Sequence, residues 1–160
     1  MVRLLVLILG LLAWAFVWPA AAEGVREPLT IQAGSGARHV FQVEVADDPG
    51  ERAQGLMFRR SMAADHGMLF DFRTSAEVGF WMENTYLPLD LLFIRADGRI
   101  ARISRGTPLS REVIPSGEPV LAVLELNAGT AARLGIRPGD LVRHRVFRNV
   151  QPAARSAARP

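Results

Sequence analysis

The chain has 160 residues, one domain on the usual size prior, and 49% of them are hydrophobic. It has no cysteine, which excludes a disulfide framework, thiolate metal sites and a cysteine nucleophile. All 19 basic residues are arginine, set against 16 acids for a formal net charge of +3.

The N-terminal stretch has the layout of a secretory signal peptide. Arg3 supplies a short positive region, Leu4–Trp18 is uncharged, and Pro19 is followed by Ala20, Ala21 and Ala22. The apolar run falls short of the ~20 residues that span a bilayer. We therefore expect cleavage before Glu23, export to the periplasm or beyond, and no stable membrane anchor afterwards. Residues 23–150 would form a single domain. Residues 151–160 (QPAARSAARP) lack an apolar face and are expected to be a disordered basic tail. No aromatic residue is interleaved with its arginines, so no nucleic-acid partner is expected.

Two extended runs, Leu29–Ala33 and Arg38–Ala46, are joined by a Gly34-Ser35-Gly36 turn. In the second, His39, Phe41, Val43 and Val45 alternate toward a core. Asp48, Pro49 and Glu51 form a helix start by the capping-box pattern. The helix is expected over Glu51–Phe58, with Ala53, Leu56 and Met57 as its apolar stripe and Gly55 packed close against a strand. Arg52 flanks the stripe, either solvated or leaning over the core edge toward a carboxylate.

Arg59–His66 reads as a polar loop. Gly67–Phe72 reads as a strand with Met68, Phe70 and Phe72 on one face. Glu77–Glu83 is another expected strand, and Asn84–Leu87 a turn. Pro88–Arg95 is an apolar strand that Asp97-Gly98 turns into Arg99–Arg105. Gly106–Glu118 is a long loop. Pro119–Leu126 is a further strand, and Asn127 is the expected N-cap of a helix over Ala128–Leu134 that ends at Gly135. Pro138-Gly139-Asp140 turns into a last strand, Leu141–Phe147. The sum is a β-rich α+β fold, a small closed or half-closed β-barrel of about eight strands with two short helices.

The informative acids are Asp90 and Glu125. Period-2 alternation puts Asp90 on a face with Leu92 and Ile94, and Glu125 on a face with Leu121 and Val123. A carboxylate among leucines needs donors or a cation, or its pKa must rise. Such groups are site candidates, but pinning by backbone N–H groups or an arginine is the preferred alternative. Asn84 and Thr85 either line a site or satisfy the turn, and the turn is favoured. Trp81 either stacks on a flat ligand face or fills the core, and core filling is favoured. No HExxH, GxSxG, P-loop or dinucleotide fingerprint is present. His39, His66 and His144 show no ligand spacing, and neither metal nor cofactor is expected.

Four ordered motifs carry a resemblance: ERAQGLMFRRSM at 51–62, GMLFDF at 67–72, FWMENTYLPLDLLFI at 80–94 and VLELNAGTAARLGIRPGD at 123–140. With them, the chain resembles the family of uncharacterised prokaryotic proteins known as domain of unknown function 192. The resemblance implies a compact β-rich domain, often exported, and supplies no catalytic role. It marks Arg52, Trp81, Met82, Asn84, Thr85, Asp90, Glu125 and Gly129 as positions to test. The preferred functional expectation is a periplasmic module binding a small polar or sugar-like ligand through Arg52, Trp81, Met82, Asn84, Thr85, Asp90 and Glu125. The alternatives are a hydrolase-like enzyme with Asp90 and Glu125 as an acid/base pair, and an envelope accessory protein presenting an apolar patch.

Overall fold

A computed structural model describes residues 25–150. The expected signal peptide and basic tail lie outside the described residues. Nine strands are described: β1 (Arg26–Gln32), β2 (Arg38–Ala46), β3 (His66–Ala76), β4 (Gly79–Phe80), β5 (Leu89–Ile94), β6 (Ile100–Gly106), β7 (Ile114–Pro115), β8 (Val120–Asn127) and β9 (Leu141–Arg143). Helix α1 is Pro49–Gln54, helix α2 is Thr130–Leu134, and a 3-10 turn covers Arg145–Phe147.

Seven strands form one sheet in the order β6-β5-β8-β3-β2-β1-β9, curled into a half-barrel. Its two edges meet at one end. Arg99 and Leu141 form a bridge there, with Ile100 N–H donating to the Asp140 carbonyl at 2.9 Å and Val142 N–H to the Gly98 carbonyl at 2.8 Å. The β2–β3 pair is parallel and the others are antiparallel. A parallel pair requires a crossover, and α1 with the loop behind it provides one.

β5 and β8 are neighbouring interior strands of the sheet, and both are largely apolar on both sides. All six residues of β5 are buried, as are Val120 and Ala122–Leu126 of β8. Side chains on one face, including Leu69, Leu92, Ile94, Leu124 and Leu126, meet those of β1, β2 and β9 in one core. Those on the other, including Met68, Phe70, Leu91, Phe93 and Val123, form a second core under Leu56, Met82 and Leu87. Fully burying a side chain such as Leu91, Leu92 or Phe93 contributes about 2 kcal/mol.

The expected helix start is present in full. The Asp48 carboxylate accepts from Glu51 N–H at 2.9 Å, Glu51 reaches back to the Asp48 N–H, and Pro49 opens the helix. The end differs. α1 stops at Gln54, because Gly55 adopts a φ of 48° and packs against the Phe70 ring. Gly55 is therefore the terminator rather than an interior residue. Leu56 is buried from the segment after the helix, while Ala53 is exposed.

Three other boundaries move. The strand expected over Glu77–Glu83 shrinks to the two residues of β4, paired with β7 from within the expected Gly106–Glu118 loop. The last strand ends at Arg143 and continues as the 3-10 turn. Asn127 does not cap α2. It is the last residue of β8, and its side-chain amide donates to the Met62 and Ala63 carbonyls at 3.1 and 3.0 Å.

Gly67 of β3 shows how tightly the sheet is set. A β-carbon there would stand 2.7 Å from the Glu125 carbonyl oxygen and 2.8 Å from a Leu126 methyl. Gly67→Ala is expected to lower stability by about 1–3 kcal/mol. Urea unfolding should show it as a drop in midpoint with little change in slope.

Candidate functional site

The segment from β4 to β5 is clamped into a lip. Met82 N–H donates to the Ser110 carbonyl at 2.9 Å, Thr85 N–H to the Met82 carbonyl at 3.0 Å and Leu109 N–H to the Thr85 carbonyl at 3.1 Å. On the other side Phe58 N–H donates to the Asn84 carbonyl at 2.8 Å. Asn84 takes a φ of 56°, a left-handed conformation that Asn tolerates better than most residues. The Met82 side chain is fully buried where Gly106 leaves no β-carbon in its way.

Between this lip and the end of α1 lies a pocket of about 140 Å³. The chain from Arg52 to Met57 forms one wall, and the rings of Phe70, Phe72 and Phe80 form another. Phe80 packs edge-on against Phe70 and Phe72, with centroids 5.0 and 6.2 Å away. Trp81 stands at the pocket with 52% of its surface exposed, which corrects the expectation that it fills the core. Thr85 is buried, and its hydroxyl donates to the Glu83 carbonyl at 3.2 Å.

Arg52 lines the pocket but meets no carboxylate among the described residues. Its Nη1 donates to the Asp71 backbone carbonyl at 3.0 Å, and its guanidinium lies 5.8 Å over the Phe72 ring. Glu125 also lines the pocket, only 4% exposed. Its cross-strand neighbours are Met68 and Leu91. Among the described residues no hydrogen bond or ion pair reaches its carboxyl. Burial pushes its pKa from the usual 4.5 up to about 8.

Asp90 faces the other way. It is paired with Leu126 while Glu125 is paired with Leu91, so the two acids project from opposite faces of the same sheet. The Asp90 carboxylate accepts from Gly129 N–H at 3.0 Å and from Ala131 N–H at 2.9 Å. Gly129, at φ 83°, is the true N-cap of α2 and has no side chain to offer. A carboxylate from a strand 39 residues earlier does the capping instead. Asp90 is thus the structural pin that the sequence reading prefers over a site role, and the sheet separates it from Glu125.

Of the expected site residues, then, Arg52, Trp81, Thr85 and Glu125 share one pocket. Met82 anchors the lip from beneath, Asn84 shapes its exposed turn, and Asp90 serves α2. The sequence reading missed the ring wall of Phe70, Phe72 and Phe80; the alternation of GMLFDF held that signal for the first two. It also missed the buried Glu44, which Arg59 grips with two nitrogens at 2.6 Å each. His144 is named in the sequence reading only for lacking ligand spacing, and its burial carried no local signal. It is buried, with Nε2 3.3 Å from Glu27, and burial lowers its pKa. Among the described residues no three His, Asp or Glu side chains cluster as a metal site needs, and no helix is long and apolar enough to cross a membrane.

The fold and pocket define a small β-rich half-barrel domain with, among the described residues, one buried and unpaired acid. Residues 30–144 match the family designated DUF192, described as "Uncharacterized ACR", and the chain belongs to that family. It is also similar to two solved structures. One, from Sinorhizobium meliloti 1021, is called a "putative transcription regulator"; it is 50% identical, with a TM-score of 0.76 over 79% of this chain and 99% of that one. The other is a protein of unknown function from Novosphingobium aromaticivorans DSM 12444. It is 43% identical, with a TM-score of 0.72 over 74% of this chain and 85% of that one. No curated protein matches the chain.

Two outcomes check this geometry. Asp90→Ala is expected to cost about 2–4 kcal/mol, because two N–H groups of α2 lose a charged acceptor; a melting curve unchanged from wild type would contradict the pin. For Glu125 the sign is the reverse. Its folded pKa lies above its unfolded one, so its protonated form suits the fold below pH 4.5, and stability falls as pH rises from there through about 8. The full cost above pH 8 is roughly 4–5 kcal/mol. Glu125→Gln should therefore be more stable than wild type at pH 8.5 and close to it at pH 4.5, as read by denaturant melts across pH.

Proposed function

We propose that this protein is an exported small-ligand-binding module and that its ligand occupies the pocket between α1 and the Phe80–Thr85 lip. The observation that carries this reading is Glu125. A buried acid with no partner among the described residues is costly to the fold, and it is retained in a pocket that opens beside an exposed Trp81. Arg52 and Trp81 give the mouth a cation and a flat aromatic face, and Glu125 gives the floor a polar group. At about 140 Å³ the cavity suits a compact polar group rather than a whole oligosaccharide.

Export rests on the Arg3, Leu4–Trp18 and Ala20–Ala22 pattern at the start of the chain. The acid/base enzyme reading loses its pair, since Asp90 and Glu125 have a sheet between them. The envelope accessory reading keeps one observation in its favour. Phe58, Trp81, Tyr86, Leu109 and Val113 are all exposed, and they sit on the segments that the lip's hydrogen bonds tie together or beside Gly79.

The test is a thermal-shift screen against metabolites, sugars and metal ions. A ligand at one hundred times its Kd stabilises by about 2.7 kcal/mol, a shift of several degrees. The shift should vanish in Glu125→Gln and weaken in Trp81→Ala. A screen with no response would leave the accessory reading standing in its place. For export, the mature protein recovered from outside the cytoplasm should begin at Glu23.

A further inference from the structure

Glu125 constrains what its pocket can hold. The carboxyl sits on the interior strand β8, between Met68 of β3 and Leu91 of β5. Phe70, Phe72 and Phe80 supply the aromatic wall beside it. The other charged side chain lining the pocket, Arg52, is already engaged with the Asp71 carbonyl and the Phe72 ring. Nothing in the described chain balances the acid.

Four kinds of group are conceivable there. An anion gains at most one hydrogen bond from the protonated acid and leaves its own buried charge unpaired, because Arg52 is already engaged. An apolar group leaves the carboxyl unsatisfied. A neutral hydroxyl shares one hydrogen bond but leaves the acid protonated. A cation satisfies charge and hydrogen bonding together, and aromatic rings add attraction of their own. The Phe72 ring shows this already, because it carries the Arg52 guanidinium on its face. The cavity of about 140 Å³ has room for an ammonium head and a short stem.

We propose that the pocket binds a primary ammonium group on a short alkyl stem, paired with the Glu125 carboxylate and flanked by Phe70, Phe72 and Phe80. This rests on the reading of the pocket as a ligand site and names its ligand class. The chain contains no lysine, so its own side chains supply no alkylammonium group. The group belongs either to a free small amine or to a lysine side chain of another protein.

Binding is coupled to a proton. Burial holds the carboxyl protonated up to about pH 8, so at neutral pH the acid gives its proton to solvent as the ammonium arrives with its own three retained. Affinity therefore rises up to about tenfold per pH unit below 8 and flattens above it.

The experiment is isothermal titration calorimetry with n-butylammonium, Nα-acetyl-lysinamide and, as neutral controls, n-butanol and glucose. Titrations are run at pH 6, 7 and 8, in two buffers of different ionisation enthalpy, on the wild type and on Glu125→Gln checked for folding by circular dichroism. The expected result is amine binding that releases close to one proton at pH 7, tightens about tenfold from pH 6 to pH 7, and weakens at least about tenfold in the variant. Binding of both amines supports the proposal with a free amine as source. Binding of the lysine derivative alone supports it with a protein side chain. Amine binding indifferent to pH and to Glu125 overturns it. A neutral control that binds where amines do not overturns the ligand class but keeps the pocket as a ligand site. Silence from all four probes together with an empty thermal-shift screen removes both.

Discussion

The register between β5 and β8 is the constraint on which the rest depends. Leu91 lies opposite Glu125, and Asp90 lies opposite Leu126. Both strands are buried on both faces, so each face must be covered by something. β1, β2, β9 and α2 cover one; the segment after α1 and the β4–β7 pair cover the other. A slip of one residue would exchange the two faces. It would point Asp90 into the aromatic pocket and leave the N–H groups of Gly129 and Ala131 without their acceptor.

From that register the two acids acquire opposite roles. Asp90 receives two N–H donors and finishes a five-residue helix that is too short to stand alone. Glu125 receives no donor from the described chain and keeps an elevated pKa. The same amino-acid chemistry, a carboxylate amid leucines, thus yields a structural device on one face and, on the other, a carboxyl in a pocket with no partner among the described residues. The stretch FWMENTYLPLD is mostly architecture. Met82 locks the lip to Gly106, Asn84 turns it, and Asp90 pins α2, while Trp81 alone faces outward at the pocket.

Local chemistry was legible in the sequence wherever neighbours along the chain decide it. The Asp48–Pro49–Glu51 helix start, the Asp97-Gly98 turn and the alternation through Phe41 and Val43 all depend on residues within a few positions of one another. The Glu77–Glu83 segment was misread because its alternation of bulky residues resembles a strand. Beyond the two residues of β4, its backbone groups instead pair with distant loop positions: Met82 N–H with the Ser110 carbonyl, and the Val78 carbonyl with Ser116 N–H. Asn127 was misread for a similar reason. Its amide found the Met62 and Ala63 carbonyls, and a remote carboxylate took the cap. Trp81 was assigned to the core by its type, but the lip it sits on is held by Met82 and leaves the indole outside.

By itself the sequence determined a β-rich domain, its family, the positions of most turns, and the fact that Asp90 and Glu125 both face apolar surroundings. Period-2 alternation fixes which residues share a face within one strand, and it needs no knowledge of the partner strand. Only the tertiary structure decided which face of the sheet each strand's apolar side joins. That choice depends on cross-strand register and on what packs above and below, neither of which is written in any single strand. It is why two acids that look alike in the chain end as a helix cap and a pocket-lining group with no partner among the described residues.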